Sequence, residues 1–123
     1  TGLPHLCSFS WYGRIDHGLA AIMLLPHCWE YYLGNPTVAE RTMLLRDIFP
    51  GDTPMAVIWS FREFLTACGV PLALRDIPGI TPALLDQTAR SAGENRMKLE
   101  LAPRPVSPDD SYAVLMDILT RAY

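Results

Sequence analysis

Four dipeptides punctuate this chain in the same way: Asn35-Pro36, Thr53-Pro54, Thr81-Pro82 and Ser107-Pro108. Each pairs a side-chain oxygen able to accept an orphan backbone N–H with a proline that needs no N–H at the first helical position. Four helix starts are therefore predicted, the last reinforced by Asp109 and Asp110 facing the positive end of the helix dipole. The apolar spacing agrees. Val57, Ile58, Phe61, Leu65 and Cys68 form one stripe, and Leu84, Leu85, Thr88, Ala89 and Ala92 a second. Tyr112, Leu115, Met116, Leu119 and Ala122 form a third. Stops are expected at Gly34, Pro50-Gly51, Gly69 and near Gly93.

Upstream, His17 to about Tyr32 reads as a helix disturbed by Pro26, whose missing N–H should kink it, and Leu3 to Tyr12 as another that ends at Gly13. Within Val70 to Ile80 a short extended piece is expected, and "LELAPRPV" reads as extended because residues before proline avoid the helical region. No segment alternates with period two. The expected fold is all-α: a bundle of five to six helices in one domain, residues 1–123.

With 123 residues, half of them hydrophobic, the chain has enough for one core and not for two. Thirteen acids against ten bases, with no basic run, exclude nucleic acid as an expected partner. Cys7, Cys28 and Cys68 are an odd set without framework spacing and read as reduced thiols in a cytoplasmic protein. The longest apolar stretch, "GLAAIMLLP", is about half of what a bilayer crossing needs, so no membrane is expected as a partner. No signal peptide is visible, and the start at Thr1 in semi-apolar text reads as a piece of something longer.

The chemistry-bearing residues gather near the front. On one unbroken helix, the twelve residues between His5 and His17 would separate them by about 18 Å. Two ligands of one ion need donor atoms roughly 3 Å apart. They can meet only if the chain turns back, and "YGRID" supplies a turn: Gly13 can take positive φ, and Asp16 can cap the helix that His17 opens. At a helix N-terminus the dipole disfavours imidazolium and favours a neutral, ligating ring. Gly18 leaves room beside it. The competing readings are a solvated or capping His17, and a closed zinc site of His5, Cys7, Asp16 and His17, whose spacing matches no standard finger. His27 reads as a core-edge histidine, and Arg104 as a structural residue reaching an acid or a helix C-terminus.

The order of features resembles a known family. "HG-x-A-x-x-x-LLPH-x-x-EY" (His17, Gly18, Ala20, Leu24, Leu25, Pro26, His27, Glu30, Tyr31) resembles the C-terminal helical domain of iron-dependent alcohol dehydrogenases. That family includes maleylacetate reductases and stands near the glycerol dehydrogenases and dehydroquinate synthases. "APRPVSPDDSYAVLMDILTRAY" is similar to its closing segment and last helix, and "FREFLTACGVPLALRDIPGI" to the stretch between. The resemblance covers nearly all of the chain, in order.

It implies an NAD(P)-linked oxidoreductase with Fe2+, or Zn2+, in a cleft between two domains, interconverting small alcohols with aldehydes or ketones by hydride transfer. His17 is by analogy the last histidine ligand and His5 the one before it. The metal would serve as Lewis acid to the alcohol oxygen, with Phe9, Trp11 and Tyr12 as the pocket's apolar wall. A further histidine that many members place four residues after the first ligand is Phe9 here, and the family's asparagine before "PRP" is Ala102. No catalytic residue is assigned. No G-x-G-x-x-G or G-G-G-S run occurs, so no cofactor-binding residue is expected here. The dinucleotide would sit on a missing N-terminal domain, this piece alone would be inactive, and its open helix faces would favour a homo-oligomer. The alternative is a non-catalytic scaffold module derived from that domain, with Trp11, Trp29, Tyr31 and Tyr32 as a docking face.

Overall fold

The computed structural model describes residues 2–123 and is all-helical, with no strand among them. Seven α-helices follow in order: α1 (Leu3–Ser8), α2 (His17–Tyr32), α3 (Pro36–Thr42), α4 (Pro54–Ala67), α5 (Pro82–Gly93), α6 (Arg96–Glu100) and α7 (Ser111–Ala122). None is long and apolar enough to cross a membrane.

Three of the four proline starts form as the sequence predicts. Asn35, Thr53 and Thr81 each accept a backbone N–H through the side-chain oxygen, from Thr37, Ala56 and Leu84. The fourth differs. Ser107 Oγ accepts the Asp110 N–H and donates to the Asp110 carboxylate, closing a turn over Pro108–Asp110. The helix therefore starts at Ser111, and Asp109 and Asp110 precede it.

Other boundaries shift for local reasons. Leu3–Tyr12 is α1 followed by a 3-10 turn, Phe9–Trp11. The helix opened by Asn35 ends at Thr42, whose hydroxyl bonds back to the Val38 carbonyl; the chain then tightens into a 3-10 turn, Met43–Leu45. Residues 70–80 hold a 3-10 turn, Leu74–Asp76, between the extended residues Ala73 and Ile77, and no strand. Leu99 and Glu100 are the end of α6, which the proline-rich reading of "LELAPRPV" missed; Asn95 caps it by accepting from the Lys98 N–H. Pro26 sits inside α2 without ending it.

The main core gathers around α2, which packs against α1, α4 and α7, while α5 packs on α7. Leu24, Leu115, Ile118 and Leu119 are fully enclosed there. The stripe of α5 is buried as predicted, whereas Tyr112 and Cys68 are exposed. Trp11 anchors the 3-10 turn to α5, its indole N–H donating to Thr88 Oγ1 at 2.9 Å. A second, smaller set of buried side chains (Val57, Ile58, Phe61, Leu65) belongs to α4. Trp29 links it to α2, meeting the Phe61 ring at 5.8 Å and donating to Thr42 Oγ1.

At the far end of α2, Arg104 Nη1 donates to the Tyr31 carbonyl at 3.1 Å, and its guanidinium lies 4.3 Å from the Tyr31 ring centroid. It thereby meets the negative end of the helix. Gly34 lets it approach closely: a Cβ there would stand 2.6 Å from Arg104 Cζ and displace the guanidinium.

Candidate metal centre

The site begins with the reversal between α1 and α2. Gly13 takes φ +77°, which a side chain disfavours, and the Arg14 N–H closes on the Trp11 carbonyl at 3.0 Å. The chain folds back so that Leu3 N–H reaches Tyr32 Oη and Ser8 reaches His17. His5 and His17, twelve positions apart, end with ring centroids 5.0 Å apart and planes inclined at 64°. Two imidazoles ligating one ion, each centroid about 3 Å from it, stand roughly 4.5–5 Å apart, so the spacing fits a shared cation.

The hydrogen bonds around the pair set a tautomer. Ser8 Oγ has one proton and donates it to the His5 carbonyl at 2.8 Å. Its 3.0 Å contact with His17 Nδ1 must then be the imidazole N–H donating to the hydroxyl. That leaves the lone pair on His17 Nε2, the arrangement a ligating histidine needs. Burial, then the charges of His17 and Lys98, hold His5 below the ordinary histidine range and favour its neutral ring.

Asp16 stands at the N-cap of α2 without a side-chain capping bond, so the opening of this helix is not sealed as the sequence suggested. Cys7 is wholly buried, where burial pushes its thiol up to about 12, and the closed zinc site of His5, Cys7, Asp16 and His17 does not form among the described residues. Among the described residues no group of three His, Cys, Asp or Glu forms a complete metal site. The two imidazoles meet without a third such side chain among the described residues.

The expected aromatic wall divides. Phe9 and Tyr12 share a side because residues three apart eclipse in a 3-10 turn. Both stack nearly parallel to His17, at 6.2 Å and 5.7 Å, with Lys98 Nζ 4.8 Å from the Phe9 ring centroid. Trp11 points the other way, into the core, and is corrected from wall to packing residue. Tyr12 and His17 line an open concavity of about 550 Å³ with Arg14 and Ile77. His5 and Gly18 line an apolar groove of about 560 Å³, and a Cβ at Gly18 would meet nothing within 4 Å.

His27 is elsewhere, buried between α2 and α4 with Nδ1 unpartnered and its pKa lowered to about 4 by burial and then by Arg62 and Arg121. The aromatic docking face does not form: Trp11 and Tyr32 are buried, Trp29 is bonded to Thr42, and Tyr31 lies under Arg104. Lys98 comes from α6, whose place beside α1 no local pattern announced. Comparison with protein-family models, curated proteins and solved structures finds no match to this chain.

Proposed function

We propose that this chain is the C-terminal helical metal-site domain of an iron-dependent, NAD(P)-linked alcohol dehydrogenase, with its dinucleotide bound by another part of the enzyme. The observation that carries the reading is the meeting of His5 and His17 across the Gly13 reversal, with the His17 tautomer set by Ser8. His5 and His17 would hold an iron or zinc ion, the remaining ligands coming from outside the chain. Bound there, the ion would supply Lewis acidity toward an alcohol or carbonyl oxygen.

The chain's own residues do the positioning. Ser8 fixes the His17 ring, and Phe9 and Tyr12 flank it with flat apolar surface. Phe9 carries no exchangeable proton where the resembled family often has histidine, so this reading assigns no proton relay to that position. Two donors without a third would make a weak site, so this reading expects the chain alone to be inactive.

The test is metal analysis of the complete polypeptide together with NAD(P)-linked oxidation of small alcohols. His17→Ala is expected to lose bound iron or zinc and activity together. Unchanged metal content in that variant would remove His17 from the site. The scaffold reading draws on Phe9 and on the exposed apolar side chains Leu44, Ile48, Trp59 and Phe64; a complete polypeptide with neither metal nor dinucleotide binding would favour it.

A further inference from the structure

His5 and His17 meet with no third histidine, cysteine or carboxylate beside them among the described residues. Zinc completes a structural shell with four nitrogen, sulfur or oxygen ligands, so two imidazoles alone hold it weakly. Both rings are partly exposed, and the lone pair on His17 Nε2 points away from Ser8. An ion held there is open to donors from outside the chain.

The surroundings of the pair favour one source for them. Arg14 and Asp16 are exposed, two positions apart, and border the concavity that His17 lines. Arg14 makes no ion pair among the described residues, and Asp16 makes neither an ion pair nor a capping bond. A cation and an anion side by side, both uncommitted, are self-complementary: across a two-fold axis each Arg14 meets the partner's Asp16. Phe9 and Tyr12, 43% and 64% exposed, add flat apolar surface next to His17, and Gly18 leaves the space beside them open. Lys98, which also faces the pair, is held over the Phe9 ring. Apolar contact alone does not join two such copies. Covering Phe9 and Tyr12 buries on the order of 100 Å² each, far below the roughly 800 Å² per partner of a stable interface. The ion has to carry the association.

We infer that a second copy of this chain completes the histidine pair: His5 and His17 of both copies hold one divalent ion between them, with Arg14 and Asp16 paired reciprocally across the axis. The inference rests on the reading of His5 and His17 as metal ligands and adds a closed state to it. Four imidazoles leave no open position for an alcohol oxygen, so the dimer and a catalytic assembly exclude each other.

The experiment is sedimentation equilibrium of the chain titrated with zinc sulfate, together with a count of zinc bound per chain. A monomer in chelator is expected, and a dimer that saturates at one zinc per two chains. His17→Ala should lose both the zinc and the dimer. Arg14→Asp and Asp16→Arg each set like charges face to face and should each weaken the zinc-linked dimer about tenfold; the two together should restore it to within about threefold. Both positions are exposed, so these variants keep the test valid should His17→Ala fail to fold. One zinc bound per monomer would overturn the inference and leave the histidine pair standing as a metal site, whereas no bound zinc would overturn both. An equal dimer in chelator, a zinc dimer that survives in a folded His17→Ala, or a swapped double variant no better than the single ones would also overturn it.

Discussion

Ser8 receives the Nδ1 proton of His17 at 3.0 Å while its own proton goes to the carbonyl of His5, so one hydroxyl ties together the two histidines it lies between. In Ser8→Ala the His17 ring loses its fixed tautomer. Ring 15N shifts are expected to move from an Nδ1–H form to a mixture, and zinc affinity to fall about tenfold. Ring shifts identical to the parent's would show that the serine does not set the proton's place.

Trp11 and Thr88 share a buried hydrogen bond across 77 residues. Thr88→Val strands the indole N–H and is expected to cost about 1–3 kcal/mol in urea unfolding. Trp11→Phe costs by lost packing as well, but Trp11→Phe with Thr88→Val should cost less than the two added together. Strict additivity would mean the bond carries no coupling.

Acid should loosen the junction of α2 and α4. His27 titrates near 4 in the fold and near 6.5 when unfolded, so between these values the unfolded chain binds more protons. Stability is therefore expected to fall as pH drops from about 6.5, by up to about 3 kcal/mol, and the effect is complete below 4. His5, also lowered, adds in the same direction. Urea midpoints for the parent and His27→Leu between pH 7 and 4.5 check this: the variant's curve should be flatter. Parallel curves would place His27 in contact with water.

Gly34 and Arg104 should behave as one unit. Gly34→Ala pushes a Cβ into the guanidinium that caps α2, and Arg104→Ala removes the cap itself. Each is expected to lower stability by about 0.5–1 kcal/mol, and the double variant by little more than either alone. Full additivity in denaturant melts would separate them.

The helical class and most boundaries were legible because caps are local: Asn35, Thr53 and Thr81 do what their side chains favour next to proline. Ser107 misled because its hydroxyl serves Asp110 in a turn equally well, a choice no short-range rule decides. The same limit applies at the histidines. Gly13 announced a reversal and the reversal occurs, but Trp11 facing inward and Phe9 outward depended on the 3-10 tightening after Ser8. Lys98 comes from a segment distant along the chain, where periodicity carries no information about neighbours; Arg104 was legible as a residue able to reach a helix C-terminus, but not as the partner of α2. Tyr32 was visible as an aromatic; its hydrogen bond from the Leu3 N–H, across 29 residues, was not.

The most direct test is a zinc titration of the chain followed by the Hε1 resonances of its three histidines. His5 and His17 are expected to shift together and saturate as one event while His27 stays still, and in His17→Ala the His5 shift should vanish at the same zinc concentrations. A His5 response that persists unchanged in His17→Ala, or zinc shifts spread equally over all three rings, would contradict a site shared by the pair.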